Sequence, residues 1–91
     1  DHENARYLAR RLSEIPSVVV MDDRLDINMV FFQIRKDNFD LHTFIQYLFE
    51  KGVKINPPSQ GEFRFVTHYW IDKRKIDWAI MIIKEFLYKL S

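Results

Sequence analysis

The sequence predicts an α+β fold: a small, three- to four-stranded, mainly antiparallel sheet with helices packed on one face. Three observations carry that expectation. Amphipathic helical stripes recur near the start, in the middle and at the end of the chain. Short runs rich in β-branched and aromatic residues lie between them. The resulting order is α-β-β-α-β-β-α, with no repeat, low-complexity tract or internal boundary, so residues 1–91 read as a single small domain.

The first helix is expected over residues 3–14, where Ala5, Leu8, Ala9 and Leu12 share one face and Arg6, Arg10 and Arg11 lie elsewhere. Pro16 stops it. "SVVVM" (17–21) is a short strand and "DDRLD" (22–26) a polar connection. "INMVFFQIR" (27–35) is a second strand. One face carries Ile27, Met29, Phe31 and Gln33, and the other carries Asn28, Val30, Phe32 and Ile34. A strand with one wet face should alternate apolar and polar, whereas this one is apolar on both sides.

The middle helix is expected over 40–52. Asp40 is a good N-cap, Phe39 can staple onto Phe44, and Gly52 sits where a left-handed residue ends a helix. Its buried stripe is Leu41, Phe44, Ile45, Leu48 and Phe49. "VKI" (53–55) reads as a short strand. "NPPSQG" (56–61) reads as a loop, because Pro57 and Pro58 cannot donate to a ladder. "EFRFVT" (62–67) is the last strand. The final helix is capped by Asp72, with Ile71 stapling to Ile76, and runs to Leu90 on a stripe of Ile76, Ala79, Ile80, Ile83, Leu87 and Leu90. Trp78, Met81, Ile82 and Phe86 widen its apolar surface.

Strand periodicity places Arg64, Val66 and His68 on one face of the last strand, and Phe63, Phe65 and Thr67 on the other. The phenylalanines belong against the helices. Arg64 then points to the side of the sheet that these helices do not cover, where an apolar face is left for a partner and an anion can reach the guanidinium. A buried guanidinium is costly unless it is paired.

Composition limits the classes of function. Fourteen basic and thirteen acidic residues leave a formal charge of +1, so there is no electrostatic footprint for nucleic acid. No apolar run reaches the length of a membrane span, and no signal peptide is visible, which points to the cytoplasm. The absence of cysteine excludes disulfides and thiolate metal sites. The hydrophobic fraction of 47% suffices for a core. The first residue is Asp1 rather than Met, which suggests a piece of a longer polypeptide.

No catalytic set is visible. His2, His42 and His68 lack metal-ligand spacing, and there is no nucleophile elbow, phosphate loop or dinucleotide fingerprint. Asp22, Asp23 and Asp26 lack the oxygen spacing of a calcium loop and read as a solvated turn.

At "INMVFF" (27–32), "LFEKGVKIN" (48–56) and above all "RFVTHYWID" (64–72), the chain resembles the C-terminal small domain of the threonine aldolases. These are fold-type-I pyridoxal-phosphate enzymes related to the β-eliminating lyases. Asp1, His2, Asn4, Ala5, Leu8 and Ala9 also match the character of the family's long helix. The likeness covers essentially the whole chain, and "R-x-V-T-H" is its most specific element. Where many relatives read "THLDV" this chain reads "THYWI", with Trp70 in place of Asp, a difference that bears on fine substrate preference.

The resemblance implies that Arg64 binds the α-carboxylate of an amino-acid substrate, a task suited to a guanidinium fork. The alternative is an intrachain salt bridge. Asn28 and His68 match other polar positions of the motif and are expected to shape the strand end and turn. The resemblance further implies a parent that uses pyridoxal 5'-phosphate to cleave β-hydroxy amino acids, threonine or allo-threonine, to glycine and an aldehyde. The cofactor's lysine, stacking histidine and phosphate ligands belong to a large domain. None of Lys36, Lys51, Lys54, Lys73, Lys75, Lys84 or Lys89 sits in a matching motif, so these residues alone are expected to be inactive. The implied partners are that large domain and further copies in a dimer or tetramer. Two other readings are open: the small domain of a sister pyridoxal-phosphate lyase, and a free-standing ligand-binding or dimerisation module.

Overall fold

In the computed structural model, residues 2–21, 29–59, 62–66 and 72–90 are described, and they form three helices and four strands. Helix α1 (His2–Ser13) leads into β1 (Val18–Val20) and β2 (Met29–Ile34). Then come α2 (Leu41–Glu50), β3 (Asn56–Ser59), β4 (Glu62–Val66) and α3 (Lys73–Lys89). All strand pairings are antiparallel, and the sheet order is β1-β2-β4-β3. The connection at 22–26 and the Ile71–Ile76 staple fall at least partly outside the described residues.

The α+β layer expected from the sequence is therefore the observed one. Val30 and Phe32 of β2 and Phe63 and Phe65 of β4 are buried on one face of the sheet with the helix stripes. The Phe32 ring stacks between Phe63 at 5.2 Å and Phe65 at 5.6 Å. From α2, Phe44 meets Phe39 at 5.1 Å, Phe86 at 5.2 Å and Phe63 at 5.4 Å, which ties both ends of the core together. The α1 stripe of Ala5, Leu8, Ala9 and Leu12 is buried as expected. Outside the core, Asp77 of α3 accepts from the Tyr7 hydroxyl and from Arg11 Nη1, latching α3 to α1.

Helix ends follow the predicted punctuation. The Asp40 side chain accepts from the Thr43 backbone N–H at 3.0 Å, and the Asp72 side chain accepts from Lys75 N–H at 2.9 Å. After α2, Gly52 has φ of +86°. Its N–H donates to the Phe49 carbonyl, and that of Val53 donates to the Leu48 carbonyl, a Schellman ending. Asn38, in the turn before α2, takes a φ of +63°, which its short polar side chain tolerates.

Three expectations are corrected. Residues 53–55 are not a strand, and the prolines expected in a loop lie within β3 (Asn56–Ser59). An edge strand needs only one row of hydrogen bonds, so residues without an N–H are admissible there. The register from Asn56↔Arg64 to Ser59↔Glu62 shifts, and this irregularity absorbs them. Secondly, Phe49 is 64% exposed and Tyr47 takes its place against the core. At 3.6 residues per turn Phe49 lies roughly 140° from Phe44, whereas Tyr47 lies only about 60° from it. Of the residues that widen the apolar surface of α3, Ile82 and Phe86 are buried and Trp78 and Met81 are exposed. Thirdly, among the described side chains the outer sheet face is mixed rather than apolar: exposed Val19 and half-buried Phe31 share it with Gln33, Glu62 and Arg64.

Candidate functional site

Alternation along β4 decides where Arg64 goes. Phe63 and Phe65 on either side of it are 3% and 1% exposed, held by the aromatic core, so the intervening side chain must leave by the opposite face. The strands beside it fix its neighbours. Arg64 pairs with Phe31 of β2 on one side and with Asn56 of β3 on the other, so it stands in the interior of the sheet's outer face rather than at a rim.

Arg64 as a residue is half-buried there, and its Nε is fully shielded from solvent without a hydrogen-bond partner. It is a directed donor with no acceptor. Leaving a buried donor unsatisfied costs about 1–3 kcal/mol, and more when it is charged. A guanidinium edge matches the two oxygens of a planar carboxylate.

Of the other positions singled out by sequence, Asn28 and His68 lie outside the described residues. His42 is exposed on α2, in an open depression with Thr43, Gln46, Tyr47 and Glu50. The Tyr47 hydroxyl there donates to Glu85, and this bond raises its pKa. Among the described residues no group of His, Asp or Glu could hold a metal ion, and no helix is long and apolar enough to cross a membrane. A lysine that carries pyridoxal phosphate is one drawn out of water. Here Lys51, Lys54, Lys73, Lys75, Lys84 and Lys89 are exposed and Lys36 is half-buried. The described residues therefore do not fit that cofactor. Sequence reasoning assigned no role to Phe31. The signal was there in strand parity, which puts it on the Arg64 side of β2, but only the register makes the two residues partners.

The chain matches no known family model, and no curated protein is similar to it. Its fold, by contrast, recurs in solved structures. A NifS-like protein from Rickettsia africae ESF-5 superposes on 97% of the chain with a TM-score of 0.77 at 14% identity, over 28% of its own length. The alanine aminotransferase from Pyrococcus furiosus covers 96%, with a TM-score of 0.75 at 19% identity, over 23% of its length. A pyridoxal-phosphate-dependent aminotransferase from Streptococcus suis 89-1591 covers 98%, with a TM-score of 0.72 at 21% identity, over 24% of its length. The chain thus spans only about a quarter of each of these proteins. Its α+β layer has the fold of a part of these proteins.

Proposed function

We propose that these 91 residues are the small C-terminal domain of a pyridoxal-phosphate-dependent enzyme of amino-acid metabolism, and that its reaction is that of a threonine aldolase. The observation that carries the reading is the strand parity that turns Arg64, at the position of the "R-x-V-T-H" arginine, out of the aromatic core and onto the outer face of the sheet. In this reading the rest of the polypeptide holds the cofactor, which supplies there an electron sink for breaking the Cα–Cβ bond of a β-hydroxy amino acid. The contribution of this chain is positional. Arg64 grips the α-carboxylate with two parallel charge-assisted hydrogen bonds, fixing the rotation of the substrate about its Cα so that one bond is presented for cleavage. The domain has no activity alone, and the full polypeptide works as a homo-oligomer.

A second reading has its own support. Two of the structural neighbours are aminotransferases, so the competing parent is an enzyme in which Arg64 grips the same carboxylate while another bond reacts. The test is Arg64→Lys in the full polypeptide, which keeps the charge and loses the fork. Each charge-assisted bond is worth about 1.5–3 kcal/mol, so the catalytic efficiency of threonine cleavage should fall by roughly two to four decades while the cofactor remains bound. Unchanged efficiency would remove Arg64 from the site. Amino-group transfer to a 2-oxo acid, without threonine cleavage, would select the second reading.

A further inference from the structure

Among the described residues, three of the large apolar side chains left exposed lie on α3: Trp78, Met81 and Tyr88, at 42%, 48% and 80%. At 3.6 residues per turn they fall within about 80° of one another, on the side of the helix opposite its buried Ile76, Ala79, Ile80 and Ile83. Arg74 and Glu85 stand within the same stripe, and Asp77 and Lys84 border it. Scattered exposed apolar residues are ordinary on a protein surface, whereas an aligned row of an indole, a thioether and a phenol marks a contact surface. We propose that the outer face of α3 is a self-association surface, on which a second copy of this chain docks antiparallel through Arg74, Trp78, Met81 and Tyr88.

Two observations support this. Trp78 is tethered before any contact is made: its Nε1 donates to the Lys51 carbonyl at 2.9 Å, at the end of α2, and the residue still stays exposed. A large ring held in place loses little freedom on docking, and Trp, Tyr and Arg are the residues that most often carry binding energy. The second observation is the order of charges along the helix. With a two-fold axis at Met81, an antiparallel pair sets Met81 against Met81 of the second copy, Arg74 against its Tyr88, and Asp77 beside its Lys84. Guanidinium then meets phenol, carboxylate meets ammonium, and Trp78, three positions from the axis, reaches the thioether opposite. Asp77 also accepts from Tyr7 and Arg11, and its side chain remains 48% exposed for this second contact. A parallel pair would set Arg74, Asp77, Lys84 and Glu85 each against its own like charge, so the charges select the antiparallel arrangement. Such a contact is the same patch on both copies, and assembly through it stops at two.

This surface is independent of Arg64 and of the proposed reaction, so its test leaves both untouched. Sedimentation equilibrium of the 91-residue chain should show the mass rising from one copy to two as concentration increases to about 1 mM, the range of a weak interface. Trp78→Ala should weaken the dimer about tenfold or more, and Met81→Glu should keep the chain single. Phe49→Glu, at the exposed apolar position of α2, should dimerise like the wild type. The sequence has no cysteine, so single cysteines report the geometry. With diamide as oxidant, Met81→Cys should form a disulfide between copies. Tyr88→Cys should not, because antiparallel helices hold its two thiols about 20 Å apart along the axis. Should Met81→Glu fail to fold, Tyr88→Glu takes its place with the same expected and overturning results. A chain that stays single up to about 1 mM overturns the proposal and leaves the stripe to the rest of a longer polypeptide. It is also overturned if the dimer survives Met81→Glu, if Phe49→Glu is as damaging, or if Tyr88→Cys crosslinks as readily as Met81→Cys.

Discussion

The backbone N–H of Val53 donates to the carbonyl of Leu48 at 2.8 Å, and both side chains are fully buried. This pair closes α2 and turns the chain back toward the sheet. It requires the left-handed residue between them, Gly52 at φ +86°. A Cβ added there would meet nothing within 4 Å, so the cost of a side chain is backbone strain alone. Gly52→Ala should therefore destabilise the fold by about 1–2 kcal/mol, read as a lower urea midpoint with an unchanged slope. A changed slope would instead indicate an altered denatured or native ensemble.

The two phenylalanines of α2 should behave in opposite ways. Phe44 is fully buried and touches three other rings. Phe44→Ala should cost about 3–5 kcal/mol, a large part of the roughly 5–14 kcal/mol that a domain of this length commands. Phe49→Ala, at a position 64% exposed, should shift stability by no more than about 0.5 kcal/mol. Chemical denaturation of both variants checks the contrast.

Asp40 should make the start of α2 sensitive to acid. Its carboxylate accepts from the side-chain hydroxyl and the backbone N–H of Thr43, and these bonds lower its pKa in the folded state. A depressed carboxylate contributes stability that is present above its unfolded pKa and lost as pH falls through the folded one. At neutral pH, Asp40→Ala should melt below the wild type. The gap should narrow as the pH drops below about 4, and thermal melts across that range measure it.

Arg64 should trade stability for recognition. With its Nε buried and unpartnered, the guanidinium carries a desolvation cost that an apolar side chain of similar length avoids. Arg64→Met should leave the chain as stable as before or raise its stability by about 1 kcal/mol. Clear destabilisation on denaturation would show that Arg64 serves the fold instead.

How much of this was legible in the sequence depended on what each residue's role required. The stripe of α1, the caps at Asp40 and Asp72 and the turn at Gly52 are local features, and local spacing revealed them. The direction of Arg64 was legible too, because its parity opposes that of Phe63 and Phe65. The strand β3 was not. Proline reads as a breaker until one knows that the strand has a neighbour on one side only, and that is a fact of sheet order. The orphaned Nε was equally hidden. The burial of that one atom depends on what packs around it, and no spacing within β4 reveals it.

Pro57 and Pro58 have a further consequence at the boundary of the sheet. Strand edges are templates on which a second chain can add its own backbone, the first step toward fibrous aggregation. One edge here is β3, where two successive residues offer no N–H; the other is β1, only three residues long. Neither gives an incoming strand a long, regular row of donors and acceptors. Both margins of the described sheet are therefore poor templates for lateral addition, and β3 has the character of a gatekeeper beside a phenylalanine-rich core.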